Sequence, residues 1–596
     1  MIPSSTGARG TEVSLAEKRQ ETRRTHDGVV TTTCALCPAG CGMRLATRAG
    51  GVVDVWGEAE HPLSKGSLCA LGSAVGQLVS SPARLTEPRA RLRRGEPWRT
   101  ISWDEALGLC ATRLAPFREA GRGQAVALAQ GRAVPLGSLL SARRLGGALG
   151  LGSAPAPAPE GTRALGALAS MVPAPDWTRA GSILLVAADP ASSEPCTMGW
   201  IVDARLRGAR VITVDGRRTR TTLKSDLVVP ARPGSERLVL AGLGAALVRR
   251  GRHDEAMARA ALRDAEGWLA RCAALDLGAV SRASGVSETQ LEEVAAALAE
   301  SFPALVVVDP DALGGEAAGV LGTAVGLLAL LGALGLPGGG LACLGGPLPP
   351  LDAGLDPARE PVAATNPPAV LLWEASCPPR RRDSWAAAVA ERAGYVVALA
   401  AFPDAVTEVA DLVLPAALWL EHGDVILRST SRCLQWHRTV VPPPGRARSG
   451  AWIWAALART MGVGALFPWL GPELDLDEGA LTDFFLSHSP AVSGCSRALL
   501  DPATAGPGGI LWPAADGEAT RLEHGAVIRG RWRLLDRRAG WPGPEEPVLT
   551  VGFAAEDASA DLAGEAGPRG STDLLEEMAP LARMPGGWPL VGALMP

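Results

Sequence analysis

Four cysteines constrain what this chain can fold into more than any other feature of its sequence. Three lie in "TCALCPAGCGM" (Thr33–Met43), spaced Cys-x2-Cys-x3-Cys, and a fourth follows after 27 intervening residues in "KGSLCALGS". Cys34, Cys37, Cys41 and Cys69 thus form three thiols on one loop plus one remote thiol. Structural zinc favours paired Cys-x2-Cys knuckles on both sides. The arrangement here suits a [4Fe–4S] cube instead, whose iron corners each take one thiolate. Gly40 and Gly42 let the backbone curl close and aim N–H groups at the inorganic sulfides. The loop predicts a cluster domain in which the four cysteines are metal ligands, not acids, bases or nucleophiles.

The rest of the chain narrows the class. Its 596 residues suit about three to five domains, and a hydrophobic content of 47% allows a large core. A net charge of −4 gives no footprint for nucleic acid or an anionic membrane. The 11 cysteines, an odd number with four clustered, do not read as a secreted disulfide framework. Residues 1–28 are charged and lack an apolar core for a signal peptide, although "TRRTH" contains two adjacent arginines. A cytoplasmic location is the expectation, with tethering to a membrane complex left open. The apolar run Ala317–Gly340 is long enough to raise a membrane span. Its recurring glycines and terminal "PGGG" favour a buried helix.

Short strands are expected around the cysteine loop, and "SWDEALGLCATRLAPF" reads as an amphipathic helix capped by Ser102, with Cys110 on its core face. From about 120 to 350, and again from 367 to 463, apolar strands alternate with helices. That is the sign of parallel α/β sheets. Ligands bind such sheets at the carboxyl ends of the strands, where "AADPASSEP" and "VDGRRTRT" lie. The expected organisation is a flexible tail (1–28), a β-rich cluster domain (29–90), a first α/β region with returning segments (91–350), a second α/β domain (351–497) and a vestigial or truncated C-terminal region (498–596). Residues 345–366 read as a linker, and 554–596 as loosely structured.

"CALCPAGCGM…HPLSKGSLCALG" followed by "SSPARLTEPRARLRRGEPWRTISWDEAL" closely resembles the opening of the molybdopterin oxidoreductases. That group includes formate dehydrogenases, nitrate reductases and the large iron–sulfur subunit of respiratory complex I. The resemblance continues through "ILLVAADPASSEP", "GARVITVDGRRTRT", "SDLVVPARPGSERLVLAGL", "TEVADLVLPAALWLEHGDVI" and "PPPGRARSGAWIWAALARTMG". It implies a small cluster domain and two parallel-sheet α/β domains, each holding one guanosine end of a molybdenum bis(molybdopterin guanine dinucleotide). A C-terminal β-barrel normally covers the pterins. Carried over by motif, Asp189, Asp215, Arg217, Gly234, Ser235 and Glu236 would line the first dinucleotide site. Thr407, Glu408, Glu421 and Gly423 would fall in cofactor loops of the second. The implied function is formate-dehydrogenase-like: electrons pass from a molybdenum–pterin site through one [4Fe–4S] cluster to a redox partner subunit. The alternative is a non-catalytic electron-transfer or structural subunit that keeps the cluster without molybdenum, as in complex I.

Three departures bear on that choice. Catalytic members carry a metal-ligating side chain roughly 100 residues after the fourth cysteine. Here that region, Ala154–Pro173, has neither Cys nor His, and Ser170 is the weak candidate. Cys196 comes too late in the motif order and reads as a core or loop thiol. Where many members have a lysine between cluster and pterin, this chain has Leu71, and Lys65 is no obvious substitute. The C-terminal barrel is mostly absent: "RWRLLDRRAGWPGPEEPVLTVGF" resembles only its first strands.

Overall fold

The computed structural model describes residues 27–521, apart from 132–133, 154–174, 263–264, 346–366, 376–383, 429, 431–432, 490–491, 493, 503–505, 507 and 512–519. Ser170, most of the N-terminal tail, the linker before 367 and the strands expected after 521 lie outside the described residues.

Strands β1 (Gly28–Thr33), β2 (Gly42–Arg48) and β3 (Gly51–Gly57) form an antiparallel sheet. Thr33 pairs with Gly42, so residues 34–41 are the loop of a β-hairpin. Met43 and Leu45 alternate inward on β2 and are fully buried. This sheet makes the cluster domain β-rich, as expected.

The chain then contributes β4 (Arg89–Ala90), β5 (Arg99–Thr100), β6 (Val126–Gln130) and β7 (Gly152–Ser153). Helix Trp103–Glu119 follows β5, with the Ser102 hydroxyl accepting from the Glu105 amide at 3.1 Å; Cys110 is wholly buried on its inner face. Five parallel strands come next: β8 (Ser182–Val186), β9 (Arg210–Val214), β10 (Leu227–Val229), β11 (Ala304–Val308) and β12 (Gly340–Cys343). Their order is β10-β9-β8-β11-β12. Every residue of β8 and β11 is buried, because helices cover both faces. Trp200 and Ile201 pack on one face, and helix Glu236–Arg249 with helix Ala317–Leu330 on the other. The order reverses between β8 and β11, which puts the binding crevice at their carboxyl ends.

Helix Ala317–Leu330 has almost no solvent face. Its 14 residues span only about 21 Å at roughly 1.5 Å per residue, short of a bilayer core. No helix among the described residues is long and apolar enough to cross a membrane.

Strands β13 (Val370–Glu374), β14 (Tyr395–Ala400) and β15 (Leu412–Pro415) complete a seven-stranded sheet ordered β5-β4-β15-β14-β13-β6-β7. The alternation from 120 onward reads linearly as one block, but β6 pairs with β13 and not with β8. The chain starts the second sheet, builds the whole first sheet, then returns. The switch point of this sheet lies between β6 and β13, where Gln130 donates to Glu374 at 2.6 Å. An antiparallel sheet closes the described chain: β16 (Asp424–Arg428), β17 (Cys433–His437), β18 (Ile510–Leu511) and β19 (Thr520–Arg521).

Candidate functional site

The cysteine loop is closed by its own backbone. The Cys34 amide donates to the Cys41 carbonyl at 2.8 Å, and Gly40 turns the loop at φ 59°. Cys34 and Cys41 are buried, whereas Cys37 and Cys69 are half-buried. Cys69 caps the short helix Ala70–Ser73, its sulfur accepting from the Gly72 amide at 3.4 Å. All ten described cysteines are reduced.

The spacing of the sulfurs tests what they can hold. No three of these cysteines have sulfurs within 4.8 Å of one another; among the described residues only a His/Asp/His group is that tight. Thiolates on one zinc, with Zn–S bonds of about 2.3 Å, sit roughly 3.8 Å apart. An iron–sulfur cube takes one thiolate at each corner and does not need the sulfurs that close. Mutual electrostatics nonetheless couples the Cys34, Cys37 and Cys41 sulfurs. A hydrogen bond with Cys196, then burial, then the charges of Cys196, Cys34 and Cys37 push the Cys41 thiol far above its ordinary range. Thiols that raise one another's proton affinity need a cationic centre to hold them all ionised.

Cys196, read from sequence as a core or loop thiol, caps helix Thr197–Leu206 and packs against the cluster-domain core, next to Cys41. It follows the loop after β8 and is held below its ordinary value by its hydrogen bond to Cys41. Its thiol also faces the backbone of Cys69 and lies 3.7 Å from the Ser67 carbonyl oxygen. Cys41 and Cys196 line one crevice with Pro38, Ser64 and Trp200. The Trp200 indole donates to the Leu63 carbonyl at 2.8 Å, docking the first α/β unit onto the cluster domain. Lys65 lies over the Trp200 ring at 3.6 Å, and Leu71 is 65% exposed.

At the carboxyl end of the five-stranded sheet, Asp189, Asp215 and Asp309 all act on one guanidinium, Arg217. The Asp215 carboxylate accepts from the Arg217 amide at 2.8 Å and from its Nη2 at 2.8 Å. Asp189 accepts from the Thr221 hydroxyl. Gly234 adopts φ 85°, a conformation only glycine takes cheaply, and leads into helix Glu236–Arg249. The Ser235 hydroxyl is committed to that turn, donating to the Arg232 carbonyl at 2.6 Å. Burial, together with the charges of Asp215 and Glu316, raises the Glu236 carboxyl. The amides of Gly234 and Glu236 donate to it, yet its Oε2 is buried with no hydrogen-bond partner. An orphaned buried acceptor among carboxylates fits a ligand edge rich in N–H donors, such as the N1–H and N2–H of guanine. The helix N-terminus beside it suits phosphate.

The second set of expected residues is more structural. Glu421 is fully buried and bidentate to Arg84, at 2.6 and 2.7 Å, with one oxygen also taking the Leu418 amide. Thr407 forms a reciprocal cap with Asp404. Glu408 is exposed, and its carbonyl receives Arg91 at 2.6 Å. The Gly423 amide donates to Glu478 at 2.8 Å, and Glu478 would clash with any Cβ at that position.

Two contributors were not singled out from sequence. Buried Glu194 takes Thr430 at 2.7 Å, the Gly345 amide at 2.8 Å and Thr197 at 3.0 Å, tying the loops after β8 and β12 to the β16–β17 hairpin. Asp309 ends β11 beside Arg217. Both sit at strand carboxyl ends, a signal readable once the strands are placed. Their partners are not readable.

Comparisons with known proteins bear on the family. Formate dehydrogenase subunit alpha of Megalodesulfovibrio gigas is 30% identical over 267 residues, covering 40% of this chain and 26% of that protein. The nitrate reductase of Klebsiella oxytoca is 24% identical over 569 residues, covering 85% of this chain and 63% of that protein. The chain thus spans less than two thirds of the length of either relative. Acetylene hydratase from Pelobacter acetylenicus shares the fold, with a TM-score of 0.65 and 18% identity over 78% of this chain and 72% of that one. The molybdopterin oxidoreductase Fe4S4 domain matches residues 27–81, and the molybdopterin oxidoreductase profile matches residues 84–460. Matched by these two models over most of its length, the chain belongs to the molybdopterin oxidoreductase family.

Proposed function

We propose that the chain is a formate-dehydrogenase-like redox subunit, in which electrons leave a molybdenum–pterin site through the cluster to a partner protein. The carrying observation is the loop after β8. It lies at the switch point of the first sheet, and Cys196 at its end lines one crevice with Cys41. Cluster and crevice are therefore joined by one short segment, Ala187–Cys196.

In this reading Cys34, Cys37, Cys41 and Cys69 hold the cluster. Glu236 and Asp189 accept from a guanine edge, the Asp215–Arg217 pair fixes the loop after β9, and Gly234 with Ser235 brings backbone amides to phosphate. Thr407, Glu408, Glu421 and Gly423 shape the second cofactor face through the contacts described, Glu421 by way of Arg84. When bound, the pterin-held metal supplies two-electron chemistry and the cluster passes electrons singly. Oxidising formate releases carbon dioxide, one proton and two electrons, so an acceptor must follow. The relatives named as subunits of formate dehydrogenases support a partner in that role. Cytoplasmic residence belongs to the same proposal.

The second reading, a cluster-bearing subunit without molybdenum, is favoured by the absence of Cys and His from Ala154–Pro173 and by Leu71 in place of a lysine. Elemental and pterin analysis of anaerobically purified protein separates the two. The first reading expects about four iron per chain together with molybdenum or tungsten and extractable pterin, and formate-dependent dye reduction. Full iron with neither metal nor pterin would replace it with the second. Zinc without iron would overturn both.

A further inference from the structure

Interleaved in sequence with Glu421 and Gly423 of the second cofactor face is one more set of metal-ligating side chains among the described residues: His422, Asp424 and His437. Strand geometry gathers them. His422 has extended backbone (φ −153°, ψ 162°), so it and Asp424, two residues on, point to the same side. His437 is the cross-strand partner of Asp424 in the β16–β17 ladder. Their ligand atoms all lie within 4.8 Å of one another.

The geometry of the two imidazoles suits a shared ion. On a tetrahedral centre with metal–nitrogen bonds of about 2.0–2.1 Å, two imidazole ring centres lie roughly 5 Å apart. The His422 and His437 centroids are 5.5 Å apart with planes at 69°. All three residues are buried, with exposures of 7%, 4% and 1%.

Two groups in the set are incompletely satisfied. The His422 Nδ1 faces the Gly423 carbonyl at 3.4 Å, while its Nε2 is buried with no hydrogen-bond partner. Asp424 accepts from the Gly137 amide at 2.8 Å and the Val425 amide at 2.7 Å, but it forms no ion pair among the described residues. Such groups are costly to bury. One divalent cation resolves both, taking the orphan nitrogen and neutralising the carboxylate.

We propose that His422, Asp424 and His437 form a buried site for a borderline first-row divalent cation, zinc foremost. The imidazole-rich set selects against calcium and magnesium, which want oxygen ligands, and the lack of thiolate selects against copper(I). The site is structural. Asp424 already reaches the N-terminus of helix Leu136–Leu149 through Gly137, so the ion would fasten the β16–β17 hairpin to the second α/β unit. This assignment does not depend on whether molybdenum is bound.

The test uses the full chain with its cluster loaded anaerobically and its iron counted. After dialysis against a chelator, it is titrated with Zn2+ and, separately, with Co2+. The expected result is about one non-iron ion per chain, with cobalt showing visible ligand-field bands and no intense near-ultraviolet thiolate band. His422→Gln and Asp424→Asn preserve side-chain volume. Each should weaken uptake by roughly tenfold or more while leaving iron content and circular dichroism unchanged. No uptake beyond iron by the wild-type chain would overturn the proposal. So would a thiolate band, or uptake that both variants leave intact.

Discussion

Replacing Glu421 with glutamine should loosen two segments 337 residues apart at once. Arg84 and Glu421 meet through two charge-assisted bonds of 2.6 and 2.7 Å, with side chains only 3% and 0% exposed. Arg84 has few other contacts: the Val79 carbonyl at 3.4 Å and the Phe402 ring at 5.6 Å. In Glu421→Gln the guanidinium stays buried without a counter-charge. Breaking a buried pair from one side costs about 3–5 kcal/mol. That is roughly two to three and a half orders of magnitude in the opening equilibrium. Hydrogen exchange at the amides of residues 79–90 and 418–441 reads it directly, because opening there exposes the Leu418, Glu421 and Val440 amides. The double variant Arg84→Met/Glu421→Leu removes both charges and should regain most of the lost protection, since apolar replacement of a buried pair is near neutral. A fall of less than about threefold in Glu421→Gln, under 1 kcal/mol, would refute the reasoning. So would a double variant as unprotected as the single.

Other perturbations probe other links. Cys37→Ala should abolish the cluster absorbance and release iron; an intact visible spectrum would contradict the ligand assignment. Cys196 lines one crevice with Cys41 and is coupled to it electrostatically, and polar groups beside ligand sulfur help set cluster potentials. Cys196→Ala should lower the midpoint in an EPR-monitored redox titration and Cys196→Ser should partly restore it, whereas equal midpoints in all three would exclude the contact. Gly326→Ala gains about 1 kcal/mol of helix propensity, but its Cβ would lie 2.9 Å from Cη2 of buried Trp268 and closer to Cζ2. Overpacking of about 1–3 kcal/mol should outweigh that gain, giving a lower melting temperature. Burial raises the Glu374 carboxyl despite donors from Ser138, Trp454 and Gln130. A raised folded value means stability is fully present below the ordinary value of 4.5 and is lost as pH climbs through the folded one. Glu374→Gln should flatten that decline in urea-unfolding midpoints measured from pH 5 to 8.

The sequence displayed local chemistry well and long-range partnership poorly, for a physical reason. A hairpin loop with three thiols, a Ser102 cap and wholly buried strands such as β8 are written in adjacent residues, and each stands where expected. The pairing of β6 with β13 is not. Both strands are mostly apolar, and nothing in their local residues says which sheet each joins. Cys196 lies 127 residues after Cys69 and became a neighbour of the cluster only when Trp200 docked on Leu63. His422, Asp424 and His437 share the hairpin, but their convergence depends on a strand register that spacing alone does not reveal.

The proposed dinucleotide also has a direction that follows from charge. Asp189, Asp215 and Asp309 surround Arg217, and Glu236 lies beside Asp215. More carboxylate than cation gathers at that corner, so a phosphate placed there would be repelled. The amides leading into helix Glu236–Arg249, past the positive φ of Gly234, offer the opposite field. A ligand with a donor-rich base at one end and phosphate at the other resolves the conflict by setting the base against the acids and the phosphate against the helix. A simple polyanion does not. Free guanosine nucleotides should therefore compete for this crevice better than inorganic pyrophosphate at equal concentration, and Glu236→Ala should erase the difference.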